Sequence, residues 1–157
     1  MTEQNRLVER KEIKLVGFSV TVSLNEDLEN GVIEGLRGEF LHKRHDIANQ
    51  LEHNGIYLIQ VYPECEWTPD IPFQSIVAAE VSEFAAVPEG MVEHTLPAGS
   101  YARFTHYGPE SEIGDTYNYI RETDIASTRA FDFEHWTNVE TIGQEKNAID
   151  IYLPLDT

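Results

Sequence analysis

Basic residues are scarce in this chain. Eleven Lys and Arg stand against 28 Asp and Glu, a formal net charge of −17. Such a balance repels a phosphate backbone or an anionic bilayer, and the few bases form no cluster, so direct binding to nucleic acid or membrane is not expected. Cysteine is nearly absent: the single Cys65 cannot form an internal disulfide, which points to the cytoplasm. No apolar run approaches the ~18 residues that cross a bilayer. The polar, mixed-charge residues 1–11 do not resemble a signal peptide. Phosphate-binding glycine loops, zinc spacings and nucleophile elbows are missing, so neither metal nor cofactor is expected. His42 and His45 lie one helical turn apart without further ligands and read as a surface pair.

What is present fits one domain over residues 1–157, with 41% hydrophobic residues available for a core. Residues 9–21 read as a strand with Gly17 as a candidate bulge, and residues 23–31 as an acidic connection. Ile33, Leu36, Phe40, Ile47 and Leu51 recur near helical spacing, predicting a helix over about residues 33–53 closed by Asn54-Gly55. Strands follow at residues 56–62 and 74–83, separated by a Pro-rich excursion carrying Cys65 and Trp67. A fourth strand, interrupted at Leu96-Pro97-Ala98-Gly99, covers residues 91–107. Pro109 suits the first turn of a helix over about residues 110–124.

The last two strands organise the rest. In residues 131–136 Phe131, Phe133 and His135 alternate with Asp132, Glu134 and Trp136. In residues 148–154 Ile149, Ile151 and Leu153 oppose Ala148, Asp150 and Tyr152. If the Phe and Ile/Leu faces cover a core, the other face gathers Glu134, Trp136, Asp150 and Tyr152. A carboxylate among rings suits a flat or cationic organic molecule; the plain alternative is a solvated acidic face.

Strand, helix, strand, strand occurs twice, over about residues 9–83 and 91–155. Val16-Gly17-Phe18 matches Ala102-Arg103-Phe104, and residues 56–61 match 131–136, which sets Glu134 opposite Ile59. The expected fold is α+β: duplicated strand-helix-strand-strand units related by a pseudo-twofold. A mostly antiparallel sheet is backed by two helices, with a central ligand cleft between the halves.

Leu96-Pro97-Ala98-Gly99-Ser100-Tyr101-Ala102-Arg103-Phe104-Thr105-His106-Tyr107-Gly108-Pro109, then Phe133-Glu134-His135-Trp136, then Ile149-Asp150-Ile151-Tyr152-Leu153-Pro154-Leu155 resemble the GyrI-like effector-binding family. That family includes ligand-binding domains of multidrug-responsive transcription activators and free-standing relatives. The resemblance implies the same duplicated fold with a central cleft. It carries Glu134, with Phe133 and Trp136 around it, onto the acid that faces cationic aromatic ligands in drug-binding members. It adds Glu145 as a second acid; Tyr152, Tyr57 and Tyr107 join the cleft wall by strand parity together with family habit. The chain opens at the first strand, without the helix-turn-helix of the activators, so a free-standing binder is expected.

Two chemistries suit such a site. One is binding of a xenobiotic or cationic aromatic drug. The other, implied by hydrolytic members of the family, is detoxifying hydrolysis of cyclopropane-bearing DNA-alkylating natural products. There Glu134 would act as general base and Tyr152 as proton donor, which leaves enzymatic activity open. A third reading is a DNA gyrase inhibitor or protector working through protein contact.

Overall fold

In the computed structural model, residues 6–51, 55–63, 68–123, 129–136 and 148–155 are described. Eight strands make one antiparallel sheet: β1 (Arg6–Arg10), β2 (Ile13–Val22), β3 (Ile56–Val61), β4 (Phe73–Val81), β5 (Val92–Leu96), β6 (Gly99–Tyr107), β7 (Phe131–Trp136) and β8 (Ala148–Pro154). Their order is β1-β6-β8-β7-β3-β4-β2-β5. Only Lys11 and Glu12 connect β1 to β2, which lie six positions apart in that order. In a flat sheet six spacings of ~4.8 Å would separate them by about 29 Å. Three peptide steps reach about 11 Å at most. The sheet must therefore curl, and Pro97-Ala98, joining β5 to β6, imposes the same constraint from the other edge.

The curl gives the sheet two buried faces. The inner face carries Ile13, Leu15, Tyr57, Ile59, Ile76, Leu96, Tyr101, Phe133 and Tyr152. The outer face carries Val16, Phe18, Leu58, Val77, Phe104, Trp136, Ile149, Ile151 and Leu153, covered by Phe40 and Ile120 from the helices. Helix α1 is Leu24–Asn30, α2 is Val32–Lys43 and α3 is Ile113–Thr123. Helix α2 packs on β2 and β4, and α3 on β6. No helix among the described residues is long and apolar enough to cross a membrane.

Several local expectations change. The first strand is two, because β1 leaves β2 after Arg10 and pairs with β6 instead. The interrupted fourth strand is likewise two, β5 pairing with β2 and β6 with β8. Residues 24–30, read as a connection, form α1, for which Ser23 and Glu26 make a reciprocal capping box. The long helix stops at Lys43, and Arg44–Asp46 form a 3₁₀ turn. Gln50 donates to the Arg44 carbonyl while Arg44 Nε donates back to Gln50 Oε1, so the chain folds over the helix end. Pro109 precedes a 3₁₀ turn at Glu110–Glu112 rather than entering the helix.

The duplication is visible in register. One shift carries β1 onto β5 and also Val16 and Phe18 onto Ala102 and Phe104. Each hairpin thus lends its first strand to the opposite half. Following that shift through the β2–β4, β6–β8, β3–β4 and β7–β8 pairings makes Leu58, not Ile59, the counterpart of Glu134. Ile59 is excluded by parity as well, since it points inward with Phe133. Leu58 and Glu134 are also direct partners where β3 meets β7, so the pseudo-twofold passes between them.

Gly17 is no bulge; β2 pairs without interruption from Lys14 to Val22 against β4. A Cβ there would sit 1.9 Å from the Val77 carbonyl oxygen and 2.5 Å from Ala78 Cα, both backbone. Gly17→Ala is expected to lower the unfolding free energy by about 3 kcal/mol or more, the upper end of overpacking costs, read as a fall in the urea midpoint.

Candidate ligand-binding site

Helix α2 packs on β2 and β4 and α3 on β6, β7 lies between these strands in the sheet, and Asp132, Glu134 and Trp136 share its outward parity. Glu134 is 4% exposed and Trp136 1%. Tyr117, on the buried stripe of α3, donates its hydroxyl to Glu134 Oε2 at 2.6 Å. The Trp136 indole Nε1 donates to Glu134 Oε1 at 2.9 Å. Both donors are neutral. Burial pushes the Glu134 carboxyl up to about 7; the two hydrogen bonds oppose that, and the charges of Glu110 and Asp132 add to it.

Helix α3 is fixed in place by a buried histidine. His106 on β6 meets Thr116 Oγ1 with Nδ1 at 2.6 Å and the Pro109 carbonyl with Nε2 at 2.9 Å. A carbonyl only accepts, so Nε2 donates to it. This contact sets the start of α3 and hence the position of Tyr117.

Next along β7, Asp132 is fully buried and accepts at Oδ2 from Arg129 Nε (2.8 Å) and from the Tyr62 hydroxyl (2.7 Å). Its Oδ1 has no hydrogen-bond partner among the described residues. Burial raises the Asp132 carboxyl above its ordinary range, against the pull of Arg129. The same layer is closed at the helices by Arg37 of α2. Its guanidinium lies 4.9 Å from the Trp136 ring centroid, and its Nη1 is 2.6 Å from Glu110 Oε2.

The expected set is only partly assembled. Glu134 and Trp136 come together as anticipated. Tyr152, expected on the same wall and as the proton donor, lies on the opposite face of the sheet. Phe133 pairs with Tyr152 and Glu134 with Ile151, so Tyr152 points inward and Ile151 outward. Asp150 pairs with His135, faces inward as well, and accepts from Thr105. The premise that the Phe and Ile/Leu faces share one core fails because both faces of a curled sheet are buried. Tyr57 is inward too. It stacks on His135 at 4.3 Å and 5°, its hydroxyl lies between Arg10 and Glu80, and burial pushes it up to about 12. Tyr107 is half-exposed at the end of β6, on the face of Thr105. Glu145 lies outside the described residues, as do Cys65 and Trp67.

Tyr117, Arg37, Glu110 and the Asp132–Tyr62–Arg129 cluster were not singled out from sequence. Tyr117 carried a signal, its place on one helical stripe with Ile113 and Ile120, but that stripe reads as core. Among the described residues no group of three or more His, Cys, Asp or Glu is placed to hold a metal ion.

A carboxyl whose folded value exceeds its unfolded one disfavours the fold once ionised. Between about 4.5 and 7 the unfolded chain gives up the Glu134 proton first, so stability falls as pH rises through that window and is level above it. The full drop is about 3 kcal/mol, at 1.36 kcal/mol per unit. In denaturant titrations from pH 4 to 8, Glu134→Gln is expected to remove most of that slope. Tyr117→Phe, which deletes a donor to the carboxylate, should extend the slope to higher pH.

The family model of the integron-associated effector-binding proteins, Cass2, matches residues 6–155. The transcriptional regulator BrlR of Pseudomonas aeruginosa is 30% identical over 156 residues, covering 96% of this chain and 54% of BrlR. The chain therefore spans about half the length of that relative. By fold it is similar to SAV2435 bound to tetraphenylphosphonium, with a TM-score of 0.69, 16% identity, and 98% and 94% of the two chains covered. An integron cassette protein from the mobile metagenome of Vibrio cholerae aligns with a TM-score of 0.68, 16% identity, and 99% and 97% covered. The duplicated sheet and the family match agree, and the chain belongs to the integron-associated, GyrI-like effector-binding family.

Proposed function

We propose that the protein binds lipophilic aromatic cations in the layer between the sheet and helices α2 and α3, with Glu134 as counter-charge and Trp136 as the stacking ring. One observation carries this reading: a buried carboxylate at the pseudo-twofold whose hydrogen-bond donors among the described residues, Tyr117 and Trp136, are both neutral. An ionised carboxylate in that setting costs several kcal/mol, roughly, of lost solvation. A ligand cation offsets that cost, and the indole adds about 0.5–2 kcal/mol through cation–π attraction. Neither interaction demands a fixed hydrogen-bond pattern, which suits a binder of varied ligands. The tetraphenylphosphonium held by SAV2435, a protein of the same fold, supplies a probe of this class.

Calorimetric titration with tetraphenylphosphonium tests the reading. Affinity is expected to rise between pH 6 and 8, as Glu134 ionises, and to fall at least about tenfold in Glu134→Gln, or about 1.4 kcal/mol. Equal affinity of Glu134→Gln and the unaltered protein at pH 8 would reject it.

A second reading, hydrolysis of a strained electrophile, is favoured by the same carboxyl standing near neutrality beside a phenol. In this reading the acid is Tyr117, whose hydroxyl bonds Glu134, in place of Tyr152 on the opposite face. Incubation with a cyclopropane-bearing alkylating compound should then give a water-added product by mass spectrometry, lost in Glu134→Gln. An unchanged compound would remove hydrolysis and leave binding.

A further inference from the structure

We propose that Arg37 is an internal competitor for the cation seat on Trp136, so that the site admits only cations whose aromatic surface can take its place. This rests on Glu134 serving as the ligand's counter-charge. Arg37 belongs to α2 in the first half of the fold, yet Trp136 and Glu110, which it meets, lie in the second. Its guanidinium sits 4.9 Å from the Trp136 centroid, within cation–π reach, and its Nη1 bonds Glu110 just before α3. The indole under Arg37 is the one that donates to Glu134. Cation, ring and carboxylate thus form one sequence of contacts across the gap between the helices, with the protein's own cation at its outer end.

Trp136 is 1% exposed, so an incoming ring must displace a side chain to reach it. Arg37 is suited to that movement. Its side chain is 11% exposed and that of Glu110 31%, so both border solvent, and a guanidinium on a long flexible stem regains hydration when it swings out. A small ammonium ion would have to replace both the charge and the planar stack of Arg37 and cannot cover the indole. A polyaromatic cation replaces both. Once Arg37 leaves, the partly exposed Glu110 loses its ion pair and becomes a second acid beside the ligand. The device sets a threshold: weak or small cations fail against the resident guanidinium, and broad aromatic ones prevail.

The test compares tetraphenylphosphonium binding by the unaltered protein, Arg37→Gln and Arg37→Lys at pH 8. Arg37→Gln is expected to bind about tenfold more tightly, and Arg37→Lys, which keeps charge but loses the planar stack, to gain less. In parallel, NMR of the unaltered protein should show Arg37 side-chain protons shifted upfield by the Trp136 ring, and saturation with tetraphenylphosphonium should return them toward exposed values. Binding that depends on Glu134 but does not tighten in Arg37→Gln, or that leaves the Arg37 resonances unmoved, overturns this inference while the cation site stands. If neither the unaltered protein nor Arg37→Gln binds in a Glu134-dependent way, both fall.

Discussion

A carboxyl group kept out of water where the two halves of the sheet meet is the constraint on which the rest of this structure turns. Glu134 and Leu58 are partners across the β3–β7 junction and counterparts under the pseudo-twofold. One half places an apolar side chain there, the other an acid. Apolar packing would serve at both positions, as Leu58 shows, so the acid is a departure from what folding alone requires. Its burial is made tolerable by two neutral donors and by a proton retained to about pH 7. In the proposed reading a cation from outside relieves the remaining penalty, which makes occupancy and ionisation two sides of one equilibrium.

The exchange of β1 and β5 between halves supplies the frame that holds this site. Because each short hairpin must span opposite edges, the sheet curls and separates its side chains into an aromatic interior and a helix-covered exterior. Arg10 shows the consequence inside. From β1 it lies 4.4 Å from the Tyr152 centroid and 5.5 Å from that of Phe133, tying an edge strand to the middle of the sheet. Tyr57, Tyr101, Phe133 and Tyr152 are spent on that interior. Among the described residues the exterior has one indole, Trp136; Arg37–Glu110 ties α2 to the other half, and Tyr117–Glu134 ties α3 to the sheet of its own half. In the proposed reading these polar ties are the ones a ligand rearranges; on the inner face the rings of Phe133, Tyr101 and Tyr152 pack on one another, and Tyr152 also borders a cavity of about 510 Å³ with Arg10, Ile13 and Glu80.

Much of the fold was legible in sequence, and the limits have physical causes. Period-two alternation placed β7 and β8 and put Glu134 with Trp136 on one face. It could not say which face of β8 joins them. Alternation reports parity within a strand, and only the pairing of Glu134 with Ile151 sets parity between strands. When both faces are buried, as along β4 with its run Ile76–Val77–Ala78–Ala79, hydrophobicity does not break the tie. Helix α1 has no apolar stripe and was read as loop, although Ser23 and Glu26 carried the capping-box spacing. Strand β1 is polar and short, and the hairpin exchange that makes it an edge partner of β6 leaves no local trace. The resemblance to the GyrI-like family, by contrast, rested on ordered motifs along the chain, which carry the order of elements but not the strand pairing that puts Tyr57 and Tyr152 on the face opposite Glu134.

The most direct measurement is the ionisation of Glu134 itself, followed by the carboxyl carbon resonance in a pH titration, with and without tetraphenylphosphonium. The account predicts a midpoint near 7 in the free protein and a clear downward shift when the cation is bound. A midpoint at the ordinary glutamate value that the cation leaves unmoved would contradict it.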